Sequence, residues 1–303
     1  MQPPDAFDPE IGIAETLETG VRRIVAPNPS PMTYRGTNTY LLGHEDICVV
    51  DPGPLDEAHL EAILAAVHPG SRITHIVVTH AHTDHSPLAA ALSARTGAPV
   101  HGFGAATEGR SQVMAELAES GLIGGGEGID TAFDPDLRLT DGTVITGSGW
   151  QLEALHTPGH IGNHLCLAWN DICFTADHVM GWASSLVSPP DGDLTDFMAS
   201  CARLRQRDWR VFYPGHGDAI HAPGARLDWL IGHRLSREAA ILAALEAGPA
   251  TAARIARTVY ADTPAALLPA AERNVLAHLV DLMQKKQVSP QGALHRDVSF
   301  ALD

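Results

Sequence analysis

The sequence is short of cysteine: Cys48, Cys166, Cys173 and Cys201 are all there are among 303 residues, and no two make a CxxC pair. That argues against a disulfide framework and against a cysteine-rich zinc ribbon. Long apolar runs are also missing. None approaches the roughly 18 residues a membrane-spanning helix needs, so no membrane partner is expected. The opening stretch, residues 1–10, is acidic and proline-rich and has neither the basic start nor the apolar core of an export signal, so a cytoplasmic location is the expectation. Basic residues are scarce, with 20 Lys+Arg against 36 Asp+Glu and a net charge of −16. A field of that sign disfavours non-specific attraction to nucleic acid or to an anionic membrane. Aromatics are few as well: 7 Phe, 5 Trp and 4 Tyr are together outnumbered by 17 histidines. Histidine is the commonest metal ligand, so the question becomes where the histidines cluster.

What is present is an ordinary globular composition, 45% hydrophobic and 18% charged, long enough for two domains or one with an appendage. The charge is uneven. Residues 1–222 hold 11 basic and 28 acidic side chains, whereas residues 223–303 hold 9 and 8. This shift suggests a boundary near residue 222.

The chain begins as β, with short apolar runs at 39–42 and 47–50 around a polar turn, the second stopping at Asp51-Pro52-Gly53. Leu60, Ile63, Leu64 and Val67 recur at helical spacing. Ile73 to Val78 reads as a strand covered on both faces. Residues 86–96 read as a helix, and 104–135 as loop with a helical turn or two. Strands are expected at 137–139, 143–146, 151–155, 164–169 and 172–175, with Asp141-Gly142 and Asn170-Asp171 as hairpin turns. A helix at 193–207 and a strand at 209–213 follow. Hairpins mixed with crossover helices predict an α/β (α+β) protein in which two sheets pack face to face with helices outside. Beyond Pro223 the pattern turns helical. One stripe runs from Leu227 to Leu245, a second helix starts at Thr251, a third covers 270–286, and a small hairpin closes the chain. Three helices and a hairpin predict a winged helix at 223–303 after a catalytic domain at 1–222.

Chemistry concentrates in His80-Ala81-His82-Thr83-Asp84-His85, four metal-binding side chains within six residues directly after a buried strand. On a helix these would diverge, but on a loop capping a strand they can converge. Imidazole and carboxylate suit zinc and related first-row ions. Three further candidates, His160, Asp177 and His216, each stand where an apolar strand ends. Strand ends at one edge of the sheets can bring all of these together.

The pattern HxHxDH, then Thr157-Pro158-Gly159-His160, an Asp after a strand, and Gly215-His216 resembles the metallo-β-lactamase superfamily. The fold this implies is the αββα sandwich. The ligand set it implies is His80, His82 and His160 for one metal, Asp84, His85 and His216 for a second, and Asp177 bridging both. The implied cofactor is two Zn²⁺ per chain, with iron or manganese as alternatives. Members with a single iron lack a full second ligand set, which argues against their chemistry here. Gly36-Thr37-Asn38-Thr39-Tyr40-Leu41-Leu42-Gly43 and Tyr213-Pro214-Gly215-His216-Gly217 further resemble the beta-lactamase-like protein 2 group, whose catalytic domain precedes a winged helix. That group includes hydrolases, thioesterase-like enzymes and an endoribonuclease.

The resemblance implies hydrolysis by a metal-bound hydroxide, with Asp84 as the catalytic carboxylate that orients it. The expected substrate is a small or carrier-linked ester, thioester or amide, lactams included, and the alternative is single-stranded RNA cut by a metal-dependent endoribonuclease. A regulator with a DNA-binding tail is a third reading, weakened by the near-neutral tail. Asp51 is a candidate to hydrogen-bond a ligand histidine. His164 is read as a strand residue, His178 as pointing away from the site, and His75 as a core or sheet residue. His44, His59, His68, His101, His221 and His295 are read as surface or turn positions, and the cysteines as core fillers. The segment Trp182 to Gly192 is a candidate substrate-facing loop. No substrate-binding residue and no oligomeric state follow from the sequence.

Overall fold

The computed structural model describes residues 7–122, 124 and 128–303. A seven-stranded sheet comes first, its strands in sequence order: β1 (Glu15–Glu18), β2 (Val21–Val25), β3 (Asn38–Leu42), β4 (Asp46–Val50), β5 (Arg72–Val77), β6 (Val100–Gly102) and β7 (Leu137–Arg138). β1 to β4 form antiparallel hairpins, and β4 to β7 run parallel. Parallel neighbours need crossovers, supplied by α1 (Glu57–Ala65), α2 (Ala89–Thr96) and α3 (Gln112–Glu119). α1 starts where Asp56 accepts from His59 N at 2.7 Å, and α2 stops at Gly97, whose φ of 75° is a left-handed cap.

The second sheet has five strands in the order β12-β11-β10-β9-β8. They are β8 (Val144–Gly147), β9 (Trp150–His156), β10 (Leu165–Trp169), β11 (Ile172–Ala176) and β12 (Val211–Pro214), the last reached through α4 (Leu194–Leu204). Asn170, at φ 54°, makes the β10–β11 hairpin turn. Asp141-Gly142 does not make a hairpin. β7 and β8 belong to different sheets, so that turn carries the chain from one layer to the other. Two short strands pair through backbone alone across a turn, but which sheet each joins is decided by the faces they bury.

Alternation along the strands builds three layers of core. Tyr40, Leu42, Cys48 and Val50 face the second sheet and meet Leu152, Leu165, Leu167 and Phe174. Leu41, Ile47 and Val49 face outward onto Leu60, Ile63, Leu88 and Leu92 of the helices. On the far side, Leu155, Cys166 and Cys173 pack against Phe197, Cys201 and Leu204. Both faces of each sheet are therefore covered, which is why the strands read as near-continuous apolar runs. This is the αββα sandwich.

The C-terminal region begins with α5 (Pro223–Leu245), followed by β13 (Ala250–Thr251), α6 (Ala252–Val259), a 3₁₀ turn (Ala265–Leu267), α7 (Leu268–Gln284), β14 (Val288–Pro290) and β15 (Ser299–Leu302). Thr251 caps α6 by accepting from Arg254 N at 3.3 Å. The three short strands form one sheet, in the order β13-β15-β14, and complete a winged helix. α5 serves two cores. Leu227 and Leu230 pack with α4, and Ile241 and Leu245 pack with Ile255, Val275, Leu279 and Phe300. Met114 and Leu117 of α3 join that last cluster, so the sandwich also reaches into the winged helix. Among the described residues, no helix is long and apolar enough to cross a membrane.

Candidate metal centre

Four strand ends of the two sheets deliver the candidate residues to one edge. β5 ends at Val77 and leads into His80, His82, Asp84 and His85; β9 leads to His160; β11 leads to Asp177; β12 leads to His216. Two sets of four form there, beside a smaller group of Asp51, His80 and His85. Donor atoms of His80, His82, His160 and Asp177 lie within 4.8 Å of one another, as do those of Asp84, His85, Asp177 and His216. Asp177 belongs to both.

Local backbone makes this convergence possible. Ala176 is held at φ 41°, a costly conformation for a residue with a Cβ, and it turns the chain so that Asp177 enters the site. Gly215 passes so close to Asp177 and His85 that any side chain there would collide with both. Gly159 sits at φ 141° with its Cα hydrogens against the backbone of Phe197, which brings His160 in beside α4.

Hydrogen bonds fix which ring nitrogen faces inward. His160 Nδ1 lies 2.7 Å from Leu186 O, and His216 Nδ1 lies 3.1 Å from Gly36 O. A carbonyl only accepts, so both Nδ1 atoms carry a proton and both Nε2 atoms face the site. His85 Nδ1 likewise bonds Asp51 Oδ2 at 2.9 Å. Asp51 is anchored in turn by Thr79 N at 2.7 Å and by the Thr79 hydroxyl at 2.8 Å. His80 Nε2 and His160 Nε2 each lie 3.0 Å from His82 Nδ1. Three nitrogens thus share a space in which at most one proton can be shared pairwise.

The second set is electrically different. Asp84 Oδ2 lies 3.1 Å from His216 Nε2 and 3.4 Å from His85 Nε2, and Asp177 Oδ1 lies 3.3 Å and 3.5 Å from the same two nitrogens. Burial works against charge on His85, but Asp84, Asp177 and Asp51 outweigh it and hold the imidazole well above its ordinary 6.5. Against the same burial, Asp177 and Asp84 push His216 up to about 10. Burial also opposes charge on Asp84 and Asp177, and the two imidazoliums overcome it and hold both carboxyls far below 3.8. In the first set burial wins. His80 lies well below 6.5, His82 falls to about 3, and His160 is lowered too.

The donor set fits a pair of cations. Asp84 Oδ1, Asp177 Oδ1 and His85 Nε2 are buried without an aligned hydrogen-bond partner among the described residues. Buried polar atoms are rarely left so, and here several point at common centres. Carboxylate and imidazole are the donors that zinc and its neighbours take.

A cleft opens on the site, lined beyond the candidate ligands by Met32, Met180, Leu186, Ser188 and Asp191. Three of these belong to the Trp182–Gly192 segment. Arg110 Nη2 holds Asp191 at 2.5 Å.

Several histidines differ from their sequence reading. His59 and His101 are buried, not on the surface. His59 bonds the Thr39 hydroxyl at 2.8 Å, and His101 stacks on His75 of β5 at 5.1 Å. A lone histidine in polar sequence reads as exposed, and only tertiary partners reveal otherwise. His164 sits just before β10 with its ring 5.1 Å from that of His80, supporting the site from behind. His178 faces away, toward Cys201 Sγ at 3.5 Å. His44, His68, His221 and His295 are exposed, and all four cysteines are buried and unpaired.

Sequence reading gave the Gly36–Gly43 motif no task, and the structure supplies one. Asn38 Nδ2 donates to Pro214 O and Gly217 O, each at 2.9 Å, the Tyr40 hydroxyl donates to Pro214 O at 2.7 Å, and Gly36 O receives the His216 proton. β3 therefore holds the His216 loop in place. A polar Asn-Thr-Tyr run inside an otherwise apolar strand was the available signal.

Comparison with known proteins agrees with this geometry. Residues 32–216 match the family model described as the metallo-beta-lactamase superfamily, and residues 251–296 match the beta-lactamase associated winged helix domain. The chain is 31% identical over 279 residues to the beta-lactamase-like protein 2 homolog of Drosophila melanogaster, covering 88% of each chain. It is 28% identical over 297 residues to an atrochrysone carboxyl ACP thioesterase of Aspergillus fumigatus, covering 91% of this chain and 84% of that one. A beta-lactamase domain protein from Burkholderia ambifaria shares the fold with a TM-score of 0.81 at 21% identity, over 100% of this chain and 97% of the other. The chain belongs to the metallo-beta-lactamase superfamily and is a hydrolase of that superfamily with a buried His/Asp metal site.

Proposed function

We propose that this superfamily member is a dinuclear zinc hydrolase of a small or carrier-linked ester, thioester or amide. On this reading His80, His82 and His160 hold one ion, Asp84, His85 and His216 hold the other, and Asp177 serves both. One observation carries it: two sets of buried imidazole nitrogens and carboxylate oxygens, sharing Asp177, converge, and Asp84 Oδ1, Asp177 Oδ1 and His85 Nε2 have no aligned hydrogen-bond partner among the described residues. Bound cations supply Lewis acidity and lower the pKa of water from 15.7 towards roughly 7.

The chain's own residues do the remaining work. Asp84 Oδ1 has no other hydrogen-bond partner among the described residues, so it is free to orient the attacking water and accept its proton. Asp51, through His85, keeps the second set aligned. Met32, Met180 and Leu186 give the acyl portion of a substrate an apolar wall, while the cleft's lining includes Asp84, Asp177 and Asp191 and, among the described residues, no lysine or arginine. A neutral acyl group suits that lining better than a phosphodiester does. A thiolate leaving group, with a pKa of about 8.5, also asks least of a proton donor. The thioesterase named among the relatives supports the same choice. Cleavage of RNA would have to take place on a chain of net charge −16.

The test is a panel of acyl thioesters, esters, lactones, β-lactams and short single-stranded RNAs offered to zinc-loaded protein, with Asp84→Asn as the control. Thioester or ester turnover that the substitution lowers by at least about 10²-fold is the expected result. RNA cleavage with the same dependence, and no acyl turnover, would replace this reading with the nuclease.

A further inference from the structure

His160 and the apolar wall of the cleft rest on one short segment, Ser185 to Ser188, and the C-terminal helices grip that segment from behind. Leu186 O receives the Nδ1 proton of His160, the bond that turns Nε2 toward the site. The Ser185 hydroxyl donates to the backbone carbonyls of Asp177 and His178. On the other side, Arg234 of α5 donates through Nη2 to Ser185 O and through Nη1 to Asn274 Oδ1 at 2.9 Å. Asn274 Oδ1 also receives Val187 N at 3.3 Å, and Arg273 Nη1 reaches the Ser188 hydroxyl at 3.2 Å. Each residue of the segment is thus tied to α5 or α7, or to His160.

Arg234 is an unusual residue to bury. It is 2% exposed, its guanidinium lies 5.2 Å from the centre of the Phe197 ring, and its hydrogen bonds among the described residues go to an amide oxygen and a backbone carbonyl, not to a carboxylate. Burying a cation without a counter-ion is costly, and a fork-shaped donor is the side chain that can hold two acceptors at once. A hydrophobic residue would pack α5 against α4 at lower cost. The position of this charge, between the Ser185 carbonyl and the Asn274 amide, accounts for it by orientation and not by packing.

We propose that Arg234 and Asn274 are positioning residues of the metal centre: by fixing residues 185–188 they set the orientation of His160 and the backbone of Asp177, so the winged-helix region completes the cation site. This rests on the dinuclear reading above.

The full-length chain tests it. Wild type, Arg234→Met, Asn274→Leu, Asn274→Asp and Val275→Ala are loaded with zinc or cobalt(II). Cation affinity is read by chelator competition, ligand geometry by the cobalt absorption spectrum, and folding by circular dichroism and thermal melting. Arg234→Met and Asn274→Leu are expected to weaken one of the two cations by about 10–100-fold, the usual effect of losing a partner behind a ligand, and to shift the cobalt bands. Asn274→Asp keeps an acceptor for Val187 N and should keep wild-type affinity. Val275→Ala, which hollows the C-terminal core at a fully buried position, should lower the melting temperature and leave both cations alone. If Arg234→Met does not fold, the contrast between Asn274→Leu and Asn274→Asp decides the matter. Unchanged affinity and spectrum in Asn274→Leu, or an equal loss in Val275→Ala, would overturn the inference while leaving the dinuclear reading intact. A wild type that binds fewer than two cations would overturn the dinuclear reading and the inference with it.

Discussion

His80, His82 and His160 meet as neutral rings whose lone pairs oppose one another, whereas across Asp177 the residues Asp84, His85 and His216 meet as paired charges. Both sets stand at the same strand ends and are equally buried. The difference lies in how many carboxylates surround each imidazole. His82 and His160 have one another as nearest neighbours, so burial keeps them neutral. His216 has two carboxylates within 3.5 Å and His85 has three, Asp51 included, and the attraction exceeds the cost of burial. The same side-chain type is thus ready for a cation in one set and must first release a proton in the other.

The most severe way to break the comparison is to remove the residue the sets share. Asp177→Asn should empty both, with elemental analysis falling below one equivalent. Its activity loss should exceed that of Asp84→Asn, which touches the second set alone and for which at least about 10²–10⁴-fold in kcat is expected from losing a proton acceptor together with a proposed ligand. A variant that keeps both cations would show that Asp177 does not join the sets.

Single-set substitutions come next. His82→Ala should lose the cation of the histidine set and keep the other, and His216→Ala should do the opposite. Cobalt(II) spectra distinguish the two, because only one set contains Asp84. Smaller again is Asp51→Asn, which leaves every proposed ligand in place but weakens the orientation of His85. About 10–100-fold in affinity is expected, confined to the charged set. Equal loss from both sets would contradict that assignment.

Acidification should also separate them. A cation entering the charged set must displace protons from His85 and from His216, whose value stands at about 10. Its affinity therefore rises with pH throughout the range from 6.5 to about 10. The histidine set, already unprotonated near neutrality, should change little over that window. Stepwise titration at pH 6, 7.5 and 9 should reveal one steep and one flat site.

The smallest effect concerns the metal-free chain. Asp84 and Asp177, depressed below 3.8, contribute stability that is present above that value and lost as pH falls through their folded values. His216, raised from 6.5 to about 10, contributes stability that is fully present below 6.5 and lost as pH rises through about 10. The metal-free melting temperature should therefore peak between about pH 4 and 6.5 in this contribution, and zinc should move the optimum upward. A metal-free optimum above pH 8 would contradict the charged state assigned to the second set.

Much of this site was legible in the sequence because its residues are concentrated. His80, His82, Asp84 and His85 fall within six positions after a β-branched run, and His160, Asp177 and His216 each follow an apolar strand. The strands themselves were legible where both faces are buried, as in β3 and β11. β1 and β2 were harder to read because charges interrupt them. Arg23 is buried at 3% exposure, held by Glu15 at 2.6 Å and by Asp218 at 3.3 Å. What no local pattern reveals is a bond between distant positions. The Gly36 carbonyl and His216 are 180 residues apart, and Arg234 and Ser185 are 49 apart. The choice of sheet for β7 and β8 belongs to the same class, because it depends on which layer covers each strand and not on the Asp141-Gly142 turn between them.

Seven side chains are proposed to hold two unequal cations. Purified full-length protein, stripped with chelator and titrated with zinc at pH 7.5, tests this most directly. Two equivalents are expected to bind in distinguishable steps, falling to one in His82→Ala and in His216→Ala. A single equivalent in wild type that survives His216→Ala unchanged would contradict it.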